Sequence, residues 1–291
     1  MSLIKNVLKM FLLAMLAVAP VVGFAQQYKL PFMQAAWTKD YPPFRIVGDL
    51  YYVGTDDLAS YLLTTKEGHI LINTGLEESV PQLKKNIETL GFKFSDIKIL
   101  LATHAHYDHV AGMAAIKKAT GALLMIQQAD VQLMKDGGAS DSVLGKDGAT
   151  FAPITPDRIL KDQEIVTLGS ASVKLLHHPG HTPGASSFSL TVKDQKRSYK
   201  VLIANIPSIL EETKLSGMPG YPQVGKDYGY TLSVMKKEQF DIWLASHASQ
   251  FNLQKKHKPG DPYRPEAFSG RADYDKTLAG IEETYKKRLK E

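Results

Sequence analysis

The run Thr103-His104-Ala105-His106-Tyr107-Asp108-His109 follows directly on an apolar stretch, residues 99–102. Three imidazoles and one carboxylate fall between His104 and His109. Core packing gives no reason for that density, whereas neutral imidazole and carboxylate are good zinc ligands and need no sulfur partner. In an extended segment, side chains two apart share a face, so His104 and His106 can hold one metal. Asp108 and His109 then turn toward a second position a little further on. A chain with this run has to bring further ligands to the same place, and that requirement narrows its fold.

Two distant segments can supply them. His181 stands in Pro179-Gly180-His181-Thr182-Pro183-Gly184, a turn in which Gly and Pro fix the backbone and aim one side chain. His247 follows Phe240-Asp241-Ile242-Trp243-Leu244-Ala245-Ser246, which reads as a buried strand ending at a sheet rim.

Taken together, His-x-His-x-Asp-His, Gly-His-Thr-Pro-Gly and a strand-end His resemble the ligand pattern of the metallo-β-lactamase superfamily. The resemblance runs from about Ala36 to about Lys290. Within the superfamily the chain is most similar to the third subclass of metallo-β-lactamases, and especially to the GOB-type enzymes. Pro43-Phe44-Arg45-Ile46, Leu50-Tyr51-Tyr52-Val53-Gly54-Thr55, Ile70-Leu71-Ile72-Asn73-Thr74-Gly75 and His177-His178-Pro179-Gly180-His181 carry that match. So do Val201-Leu202-Ile203-Ala204-Asn205 and Ala245-Ser246-His247-Ala248-Ser249-Gln250-Phe251.

The resemblance implies an αββα sandwich with two zinc ions at one edge between the sheets. It implies a first metal on His104, His106 and His181, with an open position where water is activated to hydroxide at neutral pH. It implies a second on Asp108, His109 and His247, with Asp108 also orienting the attacking water. The implied substrate is a β-lactam, whose amide bond is cleaved; penicillins, cephalosporins and carbapenems are the expected classes, and antibiotic resistance the outcome. Asn73 stands where many members carry Asp, and reads either as support for the metal loop or as a turn residue before Gly75. Asp141 and Ser142, in a Gly-rich segment at residues 136–152, are the polar tips of an expected overhanging loop and candidate substrate contacts. A serine near the second metal is either Ser208 or is replaced by Ile206. GOB-type enzymes carry Gln at the first motif position; this chain has His104.

Composition sets the surroundings. Lys5 and Lys9 precede an apolar run to Phe24, with small residues at Gly23 and Ala25. This reads as a secretory signal peptide at residues 1–25 followed by one domain at 26–291, exported to the periplasm and free of the membrane after cleavage. The chain has no cysteine, which excludes disulfides, thiolate ligands and a lipoprotein anchor. Cleavage removes Lys5 and Lys9 from the 35 basic residues and none of the 30 acidic ones, lowering the net charge from +5 to +3. So small a charge gives no reason to expect a nucleic-acid partner, and nothing in the chain asks for a partner subunit; a monomer is expected.

Strands are predicted at residues 49–53, 59–64, 69–72, 97–101, 122–126, 173–176, 186–192, 200–204 and 242–245. Helices are predicted at 77–90, 110–118, 129–135, 227–237 and 273–290. The alternation is that of an α/β protein. His177 and His178 read as strand-end packing, and His69 and His257 as exposed residues without a role.

Two other functions compete. Glyoxalase-II-like thioesterases and lactonases of the same superfamily usually place a bridging Asp on the strand after the Gly-His turn; here that strand, Val201-Leu202-Ile203-Ala204-Asn205-Ile206, has no Asp. Against a non-catalytic metal-binding or structural protein stand the six intact ligands, because a retired site tolerates their loss.

Overall fold

The computed structural model describes residues 28–195 and 197–291, so the expected signal peptide lies outside the described residues. The strands, in chain order, are β1 (Phe44–Val47), β2 (Leu50–Tyr52), β3 (Tyr61–Thr65), β4 (Gly68–Ile72), β5 (Ile97–Leu101), β6 (Leu123–Gln127) and β7 (Arg158–Leu160). They continue with β8 (Ile165–Leu168), β9 (Ala171–His177), β10 (Ser186–Lys193), β11 (Ser198–Ala204) and β12 (Ile242–Ala245). The helices are α1 (Val80–Thr89), α2 (Tyr107–Val110), α3 (Met113–Thr120), α4 (Val131–Asp136), α5 (Val224–Met235), α6 (Leu253–Lys256) and α7 (Ala272–Arg288).

One sheet has the order β1-β2-β3-β4-β5-β6-β7 and the other β12-β11-β10-β9-β8. In the first, β1 to β4 are antiparallel and β4 to β7 parallel. In the second, only β11 and β12 run parallel. Period-two alternation explains how the sheets stack. Ile70 and Ile72 of β4 face Val173, Leu190 and Ile203 of the other sheet, while Leu71 turns outward onto Leu83 and Ile87 of α1. On the far side, Tyr274 and Leu278 of α7 cover Trp243 and Leu244 of β12. Helices thus cover both outer faces, and the expected αββα sandwich is the fold observed.

The strands expected at 97–101 and 242–245 coincide with β5 and β12. The missed strands β1, β7 and β8 are only three or four residues long, and β7 exposes two of its three residues. The helix expected at 110–118 is two helices, α2 and α3, broken at Gly112. A Cβ at Gly112 would sit 2.8 Å from Val80 Cγ2, so this close approach accepts no side chain.

What matters for function is where the parallel strands end. β4 and β5 run side by side into Asn73 and Thr103; β11 and β12 do the same into Asn205 and Ser246. Four carboxyl ends therefore meet at one rim, the usual location of a ligand site in open α/β sheets. Ser246 Oγ donates to Thr103 Oγ1 at 3.0 Å and ties the two sheets together there.

Candidate metal centre

Residues 103–105 are a bend rather than the extended run expected from the spacing. Asn73 holds that bend, its Oδ1 accepting from Thr103 N at 2.9 Å. His106 is the last extended residue before α2, whose single turn swings Asp108 and His109 back toward His104. The turn carrying His181 is anchored by Asp130, which is fully buried. Asp130 Oδ2 accepts from Thr182 Oγ1 at 2.8 Å and from Ala105 N at 2.9 Å, and Oδ1 from Gly184 N at 2.6 Å. One carboxylate therefore ties the His-rich bend to the Gly-His turn. Gly184 is required, because a Cβ there would lie 2.6 Å from Asp130 Cγ. His247 follows β12 and bridges to Leu58.

The ligand atoms gather in two groups. In the first, His106 Nδ1 lies 3.1 Å from His181 Nε2, and the His104 ring is 4.8 and 4.6 Å from those two rings. In the second, Asp108 Oδ2 lies 3.1 Å from His109 Nε2 and 3.3 Å from His247 Nε2. His104 stands between them. One ligand atom each from His104, His106 and His181, and likewise from His104, Asp108 and His109, lie within 4.8 Å of one another.

The outer nitrogens fix the tautomers. His106 Nε2 faces the Asp141 carboxylate at 3.2 Å, and His181 Nδ1 faces the Ser208 carbonyl at 2.7 Å. Each outer nitrogen must donate, so each carries the proton. The inner atoms, His106 Nδ1 and His181 Nε2, are then two bare lone pairs 3.1 Å apart. Two lone pairs so close repel unless a proton or a metal ion lies between them. Likewise His247 Nδ1 donates to Asp57 Oδ2 at 3.0 Å, and its Nε2 faces Asp108 Oδ2 at 3.3 Å, a contact that needs a proton or a metal ion between the two atoms. His104 Nε2 is buried without a hydrogen-bond partner, which also fits metal ligation.

The electrostatics point the same way. Burial, with His109, His181 and His106 nearby, holds His104 well below the ordinary His range, leaving its lone pair free. Burial chiefly lowers His181 to about 3. His247 runs against its burial: the hydrogen bonds and charges of Asp108 and Asp57 raise it to about 9. Asp108 is likewise kept ionised despite burial by His109 and His247. Neutral His104 and His181 and an ionised Asp108 are the protonation states in which these side chains ligate a metal.

Residues 54–194 match the model of the metallo-beta-lactamase superfamily. The structure superimposes on the class B3 di-zinc metallo-beta-lactamase LRA-12 from an Alaskan soil metagenome. Identity is 53%, over 90% of this chain and 99% of that one, with a TM-score of 0.88. The chain belongs to the metallo-β-lactamase superfamily. A second class B3-like neighbour is the metallo-beta-lactamase GOB-18 from Elizabethkingia meningoseptica, with 52% identity, 91% and 99% coverage and a TM-score of 0.89. The resemblance to GOB-type enzymes is thereby borne out. A more distant relative is an N-acyl homoserine lactonase from Bacillus sp., 26% identical over 61% of this chain and 73% of that one.

Within this metallo-β-lactamase fold, the six expected ligands all reach one rim. The other expected site residues are placed differently. Asp141 is not a free loop tip: its Oδ2 holds His106, and its Oδ1 accepts from Val143 N and Leu144 N at 2.8 and 2.6 Å. With both oxygens engaged it stands behind a ligand rather than in front of a substrate. Ser142 Oγ donates to Pro219 O at 3.0 Å and joins the wall of a cavity of about 240 Å³ beside His181. Ser208 meets His181 through its carbonyl, its Oγ lying 3.4 Å from Nδ1. Asn73 satisfies both readings: it adopts φ 59° in the turn, and its Nδ2 also donates to Thr103 Oγ1 at 3.1 Å.

His177 and His178 pack at a strand end, bonded to Pro183 O at 2.8 Å and Ser187 Oγ at 2.7 Å. His69 and His257 were expected to be exposed, and both are buried. His69 packs edge-on to Phe92, and His257 stacks at 3.7 Å on Phe44. Asp57 and Asp130 escape a reading of the sequence, because a lone Asp in a polar turn carries no mark of what it will face once folded.

Proposed function

We propose that the protein is an exported di-zinc β-lactamase. The observation that carries this reading is the pair of converging ligand sets, His106–His181 and Asp108–His247, in a chain with the class B3 fold. His104, His106 and His181 would hold one zinc ion, and Asp108, His109 and His247 the other. Bound there, zinc supplies Lewis acidity toward the lactam carbonyl, a nucleophile drawn from water at neutral pH, and charge to stabilise the departing nitrogen.

The chain's own groups do the rest. Asp108, kept ionised by its two histidines, accepts a hydrogen bond from the attacking water and orients it. The cavity beside His181, walled by Ser142, is where the substrate would sit. The segment at residues 1–25 supports export to the periplasm, and the protein acts as a monomer on a small-molecule substrate.

The lactonase relative favours a second reading, a hydrolase of lactones or thioesters. Against it, residues 201–206, the end of β11 and the two residues beyond it, hold no Asp to bridge two metals, and Asn205 there is a neutral carboxamide. Asn205 is buried, its Oδ1 lying 3.4 Å from Ser246 Oγ.

The test is hydrolysis by the protein beginning at Gln26 of a carbapenem, an N-acyl homoserine lactone and a glutathione thioester, each with and without chelator. Carbapenem turnover that a chelator abolishes and a serine-acylating inhibitor leaves untouched is expected. Faster turnover of the lactone or thioester would replace this reading with the second.

A further inference from the structure

Two carboxylates stand directly behind the metal-facing atoms, one behind each group, and they are built alike. Asp57 is 8% exposed, in the connection between β2 and β3. Its Oδ2 holds His247 Nδ1 at 3.0 Å and Trp37 Nε1 at 3.1 Å, and its Oδ1 accepts from Ser249 N at 2.9 Å. Asp141, on the segment after α4, holds His106 Nε2 through Oδ2 while Oδ1 caps two backbone N–H groups. In both, one oxygen fixes an imidazole and the other is pinned to main chain, so neither carboxylate is free to rotate away. No contact of Asp57 reaches His104, His106 or His181, and none of Asp141 reaches Asp108, His109 or His247.

We propose that Asp57 and Asp141 are positioning residues, one for each metal group, and that each governs the ion of its own group alone. The proposal rests on the metal-binding reading above. Each carboxylate selects the tautomer that turns a bare nitrogen inward, and each places a negative charge one imidazole away from an ion. Asp57 carries an added function through Trp37. The Trp37 ring lies 5.9 Å from His247 and 6.1 Å from Tyr107, whose hydroxyl donates to Phe32 O at 2.7 Å. Residues Phe32 and Trp37 are therefore tied to the second group.

The experiment measures zinc affinity by competition with a chromophoric chelator, without reference to activity. Asp57→Asn, Asp57→Ala, Asp141→Asn and Asp141→Ala are each placed in a His181→Ala background, which keeps the second group, and in a His247→Ala background, which keeps the first. Outer partners of ligating histidines are worth about 10–100-fold in affinity. Asp57→Ala should weaken the remaining ion by about that much in the His181→Ala background and by less than about two-fold in the other. Asp141→Ala should give the reverse. The Asn variants, which keep an acceptor but lose the charge, should fall between Ala and the parent. Equal weakening in both backgrounds, which a general loss of folding would produce, overturns the proposal; so does unchanged affinity in both. Failure of the metal-binding reading is a separate result, seen as no zinc on the unsubstituted protein.

Discussion

The two halves of the metal centre are held alike and charged differently. His104, His106 and His181 are three neutral donors, drawn from the bend after β5 and the turn before β10. Asp108, His109 and His247 include an anion, and they join that same bend to the end of β12. An ion in the first group keeps nearly its whole charge to act on water and a carbonyl, whereas an ion in the second is partly neutralised by Asp108. Asp108 also lies within 3.1 to 3.3 Å of both partners in its group. The comparison teaches that one side chain, not the metal count, separates the two halves.

The sharpest way to break the comparison is therefore Asp108→Asn. It keeps the size and removes the charge. Turnover of a carbapenem should fall on the order of 100-fold or more, because water orientation and local electrostatics fail together. Near-normal turnover would reduce Asp108 to a loop support.

Next in size are the single-ligand losses. His181→Ala should release mainly the first ion and His247→Ala mainly the second, as read by metal analysis after dialysis. Two ions retained in His181→Ala would remove that residue from the ligand set.

A milder test is His104→Gln, which installs the residue of the GOB-type enzymes. An amide oxygen is a weaker zinc ligand than imidazole, so the first group should lose affinity while the second stays filled and activity remains measurable. His247→Ala should be tolerated less well. If His104→Gln emptied both groups, they would be coupled through His104, which stands between them.

The smallest effect concerns acid stability outside the ligand set. Burial lowers His178 to about 4, against an ordinary 6.5. Between those values the unfolded chain binds a proton that the folded chain refuses, so stability falls as pH drops from about 6.5 to about 4. The full loss is on the order of 3 kcal/mol. Chemical denaturation of His178→Asn should show a shallower loss than the parent across that window, despite the lost Ser187 contact. Parallel pH profiles for the two proteins would show that His178 does not contribute.

The fold and the ligands were legible in the sequence for different reasons. Buried parallel strands such as β4 and β5 end in the apolar runs 70–72 and 99–101 and stand out. The ligands stand out because three of the imidazoles and the carboxylate are packed into His104–His109. The short strands β7 and β8 lack alternation enough to register. The outer partners were illegible or misread because their meaning is purely tertiary. Asp57 meets His247 across 190 residues of chain and Asp130 meets Gly184 across 54. Asp141 was read as a loop tip because its sequence neighbours are small and polar, yet the folded loop turns it inward onto His106. Polarity shows that a side chain needs a partner; only the fold decides whether that partner is solvent, substrate or a metal ligand.

The most direct test of the central claim is a stepwise zinc titration of the chelator-stripped protein, following bound zinc and carbapenem turnover on the same samples. The account predicts that turnover is absent at the start, returns with added zinc, and that binding saturates near two ions per chain. Turnover in the zinc-free protein, or saturation of binding at a single ion with all six ligands intact, would contradict it.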